Sequence, residues 1–114
     1  MIDGVQVLRP ARSRVVVELR GEHDLESKYA MRALLTELIE ENDLVVVDLS
    51  EAEFIDSSII QNLADANRLA RERGSQFRIQ HTTAAIVEKA LEISGMFELL
   101  DCVSNREDAL RNAP

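Results

Sequence analysis

Apolar and polar residues recur with different periods along the chain, and each period predicts a type of element. β-Branched residues are concentrated in 14–20 and in 44–50, and the second run is almost continuously apolar. Such a run is typical of a strand covered on both faces of a sheet, so it is expected to be central. Weak alternation at 5–8, turn-forming residues at 9–13 and the strand at 14–20 predict an antiparallel hairpin, and 76–80 alternates as a further short strand.

Between these strands, apolar positions recur every three or four residues, which predicts helices with one apolar face. The predicted helices span 24–41, 57–73 and 82–94. Gly74 and Gly95 follow the last two, and glycine suits the left-handed backbone that ends many helices.

The C-terminal part of the chain gives a weaker signal. The apolar run at 96–103 is expected to be buried, but its period does not distinguish a helix from a strand. Ser104 and Glu107 have the spacing of a capping box, which predicts that Ser104 begins a final short helix.

Strands separated by helices pair in parallel through right-handed connections. The pattern therefore predicts an α/β fold with a small mixed sheet, in which an N-terminal hairpin strand joins parallel strands flanked by about four helices. One domain is expected over residues 1–114. Functional groups collect at the carboxyl ends of parallel strands, so the loops at 21–24, 51–56 and 81–83 are expected to share one edge.

Composition narrows the classes of function. The chain has 114 residues and a formal charge of -8, which disfavours direct binding to nucleic acid or anionic lipid. A single cysteine excludes an intramolecular disulfide and a cysteine-based metal site. No run approaches the about 18 apolar residues of a membrane span, so no membrane insertion is expected and the cytoplasm is the expected location. Without a glycine-rich phosphate loop, no nucleotide or other cofactor is expected.

The stretch FIDSSIIQNL places an acid and two hydroxyls, Asp56, Ser57 and Ser58, between the apolar pair Phe54–Ile55 and an amphipathic helix. The apolar pair is expected to be buried. One interpretation is that Asp56 or Ser57 only caps the helix. In the other, a serine at a helix N-terminus is an exposed acceptor for a phosphate, which would lie near backbone amides. The two interpretations are compatible.

These segments resemble the STAS domain of bacterial anti-sigma factor antagonists. RVVVELRGEHD is similar to the strand and Gly-Glu-x-Asp turn of that family, and VVVDLSEAEFIDSSI to its strand, loop and Asp-Ser-Ser segment. ARERGSQFRIQ and LEISGMFELL also follow the family pattern, in the same order. The resemblance implies a non-enzymatic switch. The unmodified antagonist binds an anti-sigma serine kinase, which releases its sigma factor; the kinase then phosphorylates the antagonist, and a serine phosphatase restores it.

Carried over by position, the resemblance makes Ser57 the phosphoacceptor and Ser58 its neighbour with a capping or packing role. Asp24 and Glu22 belong to the turn that matches Gly-Glu-x-Asp, and Asp24 is expected to orient the acceptor hydroxyl, contact the kinase or only cap the first helix. Asp56 is expected to lie beside the acceptor. The oligomeric state, the kinase and the sigma factor are not implied.

One position departs from the family. The family pattern continues Asp-Ser-Ser with Gly-Leu, whereas Ile59 and Ile60 follow Ser58 here. In one interpretation Ile59 adds bulk beside the acceptor, where a kinase would approach, and hinders phosphorylation. In the other, Ile59 faces the sheet or enlarges an apolar docking patch.

Two other functions are compatible with the same residues. Ser57 could be a hydrolase nucleophile if His23 or His81, both expected at the same sheet edge, acted as its base, but no nucleophile-elbow glycines flank it. Alternatively, the chain is a STAS scaffold or a transporter-accessory subunit that works without phosphorylation.

Overall fold

The computed structural model describes residues 3–23, 25–81 and 85–111, which form one five-stranded sheet with helices on both faces. The strands lie in the order in which they occur in the sequence. β1 and β2 are antiparallel, and all later neighbours are parallel. The strands are β1 (Val5–Ala11), β2 (Arg14–His23), β3 (Leu44–Ile55), β4 (Gln76–Gln80) and β5 (Asp101–Val103). The mixed sheet with an N-terminal hairpin is therefore confirmed.

The helices connect the parallel strands, as the spacing of apolar residues predicts. They are α1 (Lys28–Glu41), α2 (Ser57–Arg73), α3 (Ala85–Ile93), the single turn α4 (Met96–Leu99) and α5 (Arg106–Leu110), and a 3₁₀ turn at Leu25–Ser27 precedes α1. Gly74 ends α2 with φ of 75°, in the left-handed region where glycine has no steric penalty. The ambiguous run at 96–103 contains both a helical turn and a strand.

β3 lies in the middle of the sheet, and its first six residues are buried, which confirms the predicted central strand. The predicted end of this strand is wrong. Residues 51–55, expected to be a loop, continue β3 as far as Ile55 and pair with β2 as far as His23. Their polar sequence is explained by exposure, because only Ala52 and Ile55 are buried in this part of β3, whereas Glu51, Glu53 and Phe54 are exposed.

Two irregularities accompany this continuation. The register between β2 and β3 shifts between Glu18 and Arg20 and again between Gly21 and Glu22. At each shift β3 contributes one more residue than β2, which is the arrangement of a β-bulge. A bulge bends and twists its strand, so both bulges affect the direction in which β3 runs where it joins α2.

β4 is much shorter and pairs with β3 only from Leu44 to Asp48. Gln80, the last residue of β4, pairs with Asp48, seven residues before Ile55, so His81 lies level with the middle of β3. The prediction that the loop after β4 shares the edge of the other two loops is wrong for His81, because β2 and β3 extend past β4; residues 82–84 are outside the described residues.

The main core lies between the sheet and α1 to α4. The buried apolar residues of this cluster come from every strand of the sheet's centre and from the inward faces of the helices, among them Val17, Leu35, Val47, Leu63 and Leu91. Burial of this set is the main stabilising contribution to the fold.

The opposite face of the sheet is covered by α5 over a small apolar cluster of Val16, Leu44, Val46 and Ala109. α5 begins after Asn105, whose side-chain oxygen accepts a hydrogen bond from the Asp108 amide at 2.8 Å. The predicted capping box of Ser104 and Glu107 is therefore wrong by one residue. Asparagine is as good a cap as serine, and the two adjacent candidates cannot be separated by spacing alone.

Candidate functional site

The candidate site is the junction at which β3 ends and α2 begins. Asp56 is the N-cap of α2: its carboxylate oxygen Oδ1 accepts hydrogen bonds from the amides of Ser58 at 2.9 Å and Ile59 at 3.3 Å. Its own amide donates to the carbonyl of His23 at 3.2 Å, which joins the ends of β2 and β3. The capping interpretation is therefore confirmed for Asp56.

The two serines have different environments. The Ser58 hydroxyl donates to Asp56 Oδ1 at 2.5 Å and is half-buried, so it belongs to the cap. Ser57 occupies the first position of α2 and is exposed. Within the residues described, its hydroxyl makes no hydrogen bond. Of the two hydroxyls, the one at position 57 is thus open to a reagent or a partner, while the one at position 58 is already bound.

Glu22 lies at the same edge as this junction. It pairs in register with Phe54, and the next residue, His23, pairs with Ile55 immediately before the cap. The paired ends of β2 and β3 thus bring Glu22 to the segment that contains Asp56. Asp24, also predicted at this site, lies outside the described residues.

Ile59 is not on the surface. Its side chain is 0% exposed and belongs to the main core cluster. The interpretation in which Ile59 hinders an approaching kinase is wrong, and the alternative in which it faces the sheet is correct. The reason is helical geometry: the first turn of α2 must direct one side chain inward, and position 59 has that direction while position 57 faces solvent.

The two histidines do not form a catalytic pair with Ser57. His23 is buried, and its Nε2 donates to the carbonyl of Arg20 at 2.9 Å, so this nitrogen is engaged in the strand. His81 lies level with the middle of β3, and its amide donates to the Val103 carbonyl at 3.0 Å. This arrangement gives no support to the hydrolase hypothesis.

Phe54 is the surface residue that the sequence pattern missed. It was expected to be buried with Ile55, but its side chain is 38% exposed, whereas Ile55 is buried. Consecutive residues of a strand face opposite sides, so a strand that buries Ile55 directs Phe54 outward. The sequence pattern missed this because 51–56 is predicted to be a loop.

In 3–23, 25–81 and 85–111, no helix is long and apolar enough to cross a membrane. The same residues contain no group of three or more histidine, cysteine or acidic side chains placed to hold a metal ion.

Comparison with known proteins gives a match along most of the chain. The family model described as "Mlab, STAS domain" matches residues 7–101.

Solved structures with the same fold include anti-sigma factor antagonists. SpoIIAA in its unphosphorylated form superposes with a TM-score of 0.78 at 20% identity, over 91% of this chain and 91% of that one. The phosphorylated form of SpoIIAA, a Bacillus cell fate determinant, gives 0.73 at 20% identity, over 94% and 99%. A structure from Thermotoga maritima described as a putative anti-sigma factor antagonist gives 0.81 at 14% identity, over 93% and 91%. At these identities the likeness establishes the fold.

Proposed function

The chain belongs to the STAS domain family, and from that premise we propose that it is an anti-sigma factor antagonist. Its unphosphorylated form binds an anti-sigma serine kinase, and this binding frees the sigma factor that the kinase holds. Phosphorylation of Ser57 by the same kinase ends the interaction, and a serine phosphatase restores it. The chain itself is not an enzyme in this scheme, and it acts in the cytoplasm.

The observation that carries this proposal is the different state of the two serines. A kinase needs a hydroxyl that can reach the terminal phosphate of ATP, and Ser57 is exposed at the start of α2. Ser58 cannot present its hydroxyl without first leaving Asp56 Oδ1. Asp56 thus supports the acceptor in two ways. It caps the helix that positions Ser57, and it binds the Ser58 hydroxyl, which would otherwise compete as an acceptor.

The transfer itself is an ordinary phosphoryl transfer. The Ser57 oxygen forms a bond to the γ-phosphorus of ATP as the bond from that phosphorus to the β–γ bridging oxygen breaks. ADP leaves, and a base on the kinase accepts the hydroxyl proton. This chain contributes the placed hydroxyl and no catalytic group.

The added phosphate acts on the surface and not on the fold. It brings about -1.5 to -2 of charge to a chain that already has a formal charge of -8. Asp56 already accepts hydrogen bonds from the Ser58 and Ile59 amides, so the phosphate meets a carboxylate where it would otherwise meet free donors. In the kinase complex it would also lie next to the β-phosphate of ADP. Both repulsions weaken binding without unfolding α2.

Intact-mass and fragment analysis after incubation with ATP and the anti-sigma serine kinase encoded nearest to this chain tests the proposal. We expect one phosphate, on Ser57, in the natural chain. The matched pair Ser57→Ala and Ser58→Ala separates the two hydroxyls: the first substitution abolishes phosphorylation and retains kinase binding, and the second retains both. Phosphate found on Ser58, or on the Ser57→Ala variant, contradicts the assignment.

The alternative is a STAS scaffold or transporter-accessory subunit that works without phosphorylation. It predicts neither a phosphate nor a stable complex with the kinase. It also predicts that Ser57→Ala leaves unchanged whatever larger assembly the chain is recovered in, because no step of that function uses the hydroxyl.

A further inference from the structure

The part of β2 and β3 that extends past β4 has one face in the core and one in solvent. Ala52 and Ile55 belong to the main core cluster, whereas Glu51, Glu53 and Phe54 are exposed. The exposed residues therefore lie on the opposite side, adjoining the start of α2. We call the exposed set Glu22, Glu51, Glu53 and Phe54 the strand-end patch.

Phe54 is the apolar centre of the strand-end patch. Its side chain is 38% exposed although it lies within a strand whose first six residues are buried. It precedes Ser57 by three residues, a span of at most about 11 Å of chain. Aromatic side chains that insert into a pocket of the partner are typical anchors of protein interfaces.

The rest of the strand-end patch is acidic. Glu22 pairs in register with Phe54, and Glu53 is the extra residue of the bulge next to it. Glu51 lies opposite Arg20 in the same register, and the Arg20 guanidinium contacts Glu18 at 3.3 Å. Three exposed glutamates thus lie next to Phe54 along the two paired strands, with one arginine at their border, on a chain whose formal charge is -8.

We propose that the strand-end patch docks the kinase that modifies Ser57, and that the kinase presents there an apolar pocket bordered by lysine or arginine. This inference rests on the proposed function, because it names the partner's surface at that same site. Charge complementarity selects a cationic partner, since a second copy of this chain would bring its own carboxylates against these. Docking at the strand-end patch leaves the first turn of α2 free to enter the kinase's active site.

The separation of anchor and acceptor also explains how one phosphate can end the interaction. The cationic border attracts the strand-end patch before and after modification. The new charge appears at Ser57, where the partner's nucleotide is anionic, so repulsion arises at the acceptor and not at the anchor.

Binding of the purified nearest-encoded anti-sigma serine kinase with ADP, measured by calorimetry, tests the anchor. Phe54→Ala is expected to weaken affinity at least tenfold. Leu99→Ala is the matched control: its side chain is 48% exposed, but it lies near Arg71, about 21 Å along α2 from Ser57. This control is expected to bind within twofold of the natural chain. Thermal melting of each variant checks that it is folded.

Glu53→Lys tests the charge of the strand-end patch independently, because an exposed strand residue can be exchanged without opening the core. We expect weaker binding than in the natural chain and a smaller loss of affinity between low and high salt. Glu53→Lys also tests docking at the strand-end patch if Phe54→Ala does not fold.

The outcomes separate this inference from the proposed function. If the kinase phosphorylates Ser57 but Phe54→Ala binds like Leu99→Ala, or Glu53→Lys binds as tightly as the natural chain, the docking surface is wrong and the switch stands. If the kinase neither binds nor phosphorylates the natural chain, both are overturned.

Discussion

The two faces of the sheet are held by different interactions. On the face under α1 to α4, β3 contributes Val45, Val47 and Leu49 to a large apolar cluster. On the other face the same strand contributes Val46 to a small cluster and then Asp48, which is 4% exposed and ion-paired. One strand thus stabilises the fold by apolar burial on one side and by charge pairing on the other.

The polar face has a definite geometry. Glu18, Asp48 and Gln80 lie in register on three neighbouring strands, and the side chain of Arg106 crosses all three. Its guanidinium donates to Glu18 at 3.0 Å, to Asp48 at 2.5 Å and to Gln80 at 2.9 Å. Burial alone would lower the pKa of Arg106, but the hydrogen bonds to the two carboxylates raise it, so the side chain is cationic at every physiological pH.

A second arginine holds the other end of α5. Arg78 is buried, and its Nε donates to Asp101 at 2.9 Å. Its Nη1 donates to the carbonyls of Ala109, at 3.1 Å, and Arg111 at the end of α5. A helix of five residues is too short to be held by apolar contacts alone. Hydrogen bonds from the two arginines fix its position on the sheet. α5 therefore combines a small apolar contact with directional hydrogen bonds and ion pairs, whereas α2 packs mainly through its buried apolar side chains.

The largest expected effect tests the apolar face. Ile59→Gly, which restores the glycine of the family pattern, should lower the free energy of unfolding by about 4 kcal/mol, because it removes a fully buried side chain and adds a flexible residue to the first turn of α2. Urea unfolding measures it. Ile93→Gly, at an exposed last position of α3, should cost less than about 1 kcal/mol. Equal costs would show that position 59 is not packed as described.

A smaller effect is expected on the polar face. Arg106→Ala should lower the free energy of unfolding by about 2 to 3 kcal/mol, because it leaves buried Asp48 without its cation. The control is Arg68→Ala, which removes an exposed ion pair with Asp65 of 2.8 Å and should cost less than about 0.5 kcal/mol. Urea unfolding of the two variants measures both losses. Similar losses would show that the Arg106 network stabilises the fold no more than an exposed ion pair does.

The thiol of Cys102 is expected to make the stability of the fold depend on pH. Burial, and secondly the charge of Asp101, raise the pKa of this thiol from 9.0 to about 11. The unfolded thiol ionises first, so this group's contribution to stability is present below about pH 9 and is lost as the pH rises toward about 11. Cys102→Ala should flatten stability curves measured over that interval. An unchanged curve would mean that the thiol is as acidic in the fold as in the open chain.

The smallest effects on the free energy of unfolding are expected at the junction between β3 and α2. Asp56→Ala should lower the free energy of unfolding by about 1 kcal/mol, since the amides of Ser58 and Ile59 lose their acceptor. Ser57→Ala should change it by less than about 0.5 kcal/mol, because the exposed hydroxyl supports no described contact. Thermal unfolding compares the two; a cost at Ser57 equal to that at Asp56 would give the hydroxyl a structural role.

The sequence by itself determined the mixed sheet, its central strand, the helices between strands and the start of α2. Periodicity reports which residues are covered, and the Asp-Ser-Ser segment combines a strong capping residue with the beginning of an amphipathic pattern, so both signals are local. The same signals predicted Asp56, Ser57 and Ser58 as the candidate site.

Only the tertiary structure decided the rest. Whether 51–55 is loop or strand depends on how far β2 extends beside it, and whether Ile59 is buried depends on how α2 packs on the sheet. The assignment of the two serine hydroxyls rests on a bond of 2.5 Å between Ser58 and Asp56, and the network of Arg106 joins residues up to 88 positions apart. Such contacts bring together residues distant in the chain or fix the orientation of a single side chain, and neither is encoded in a local period.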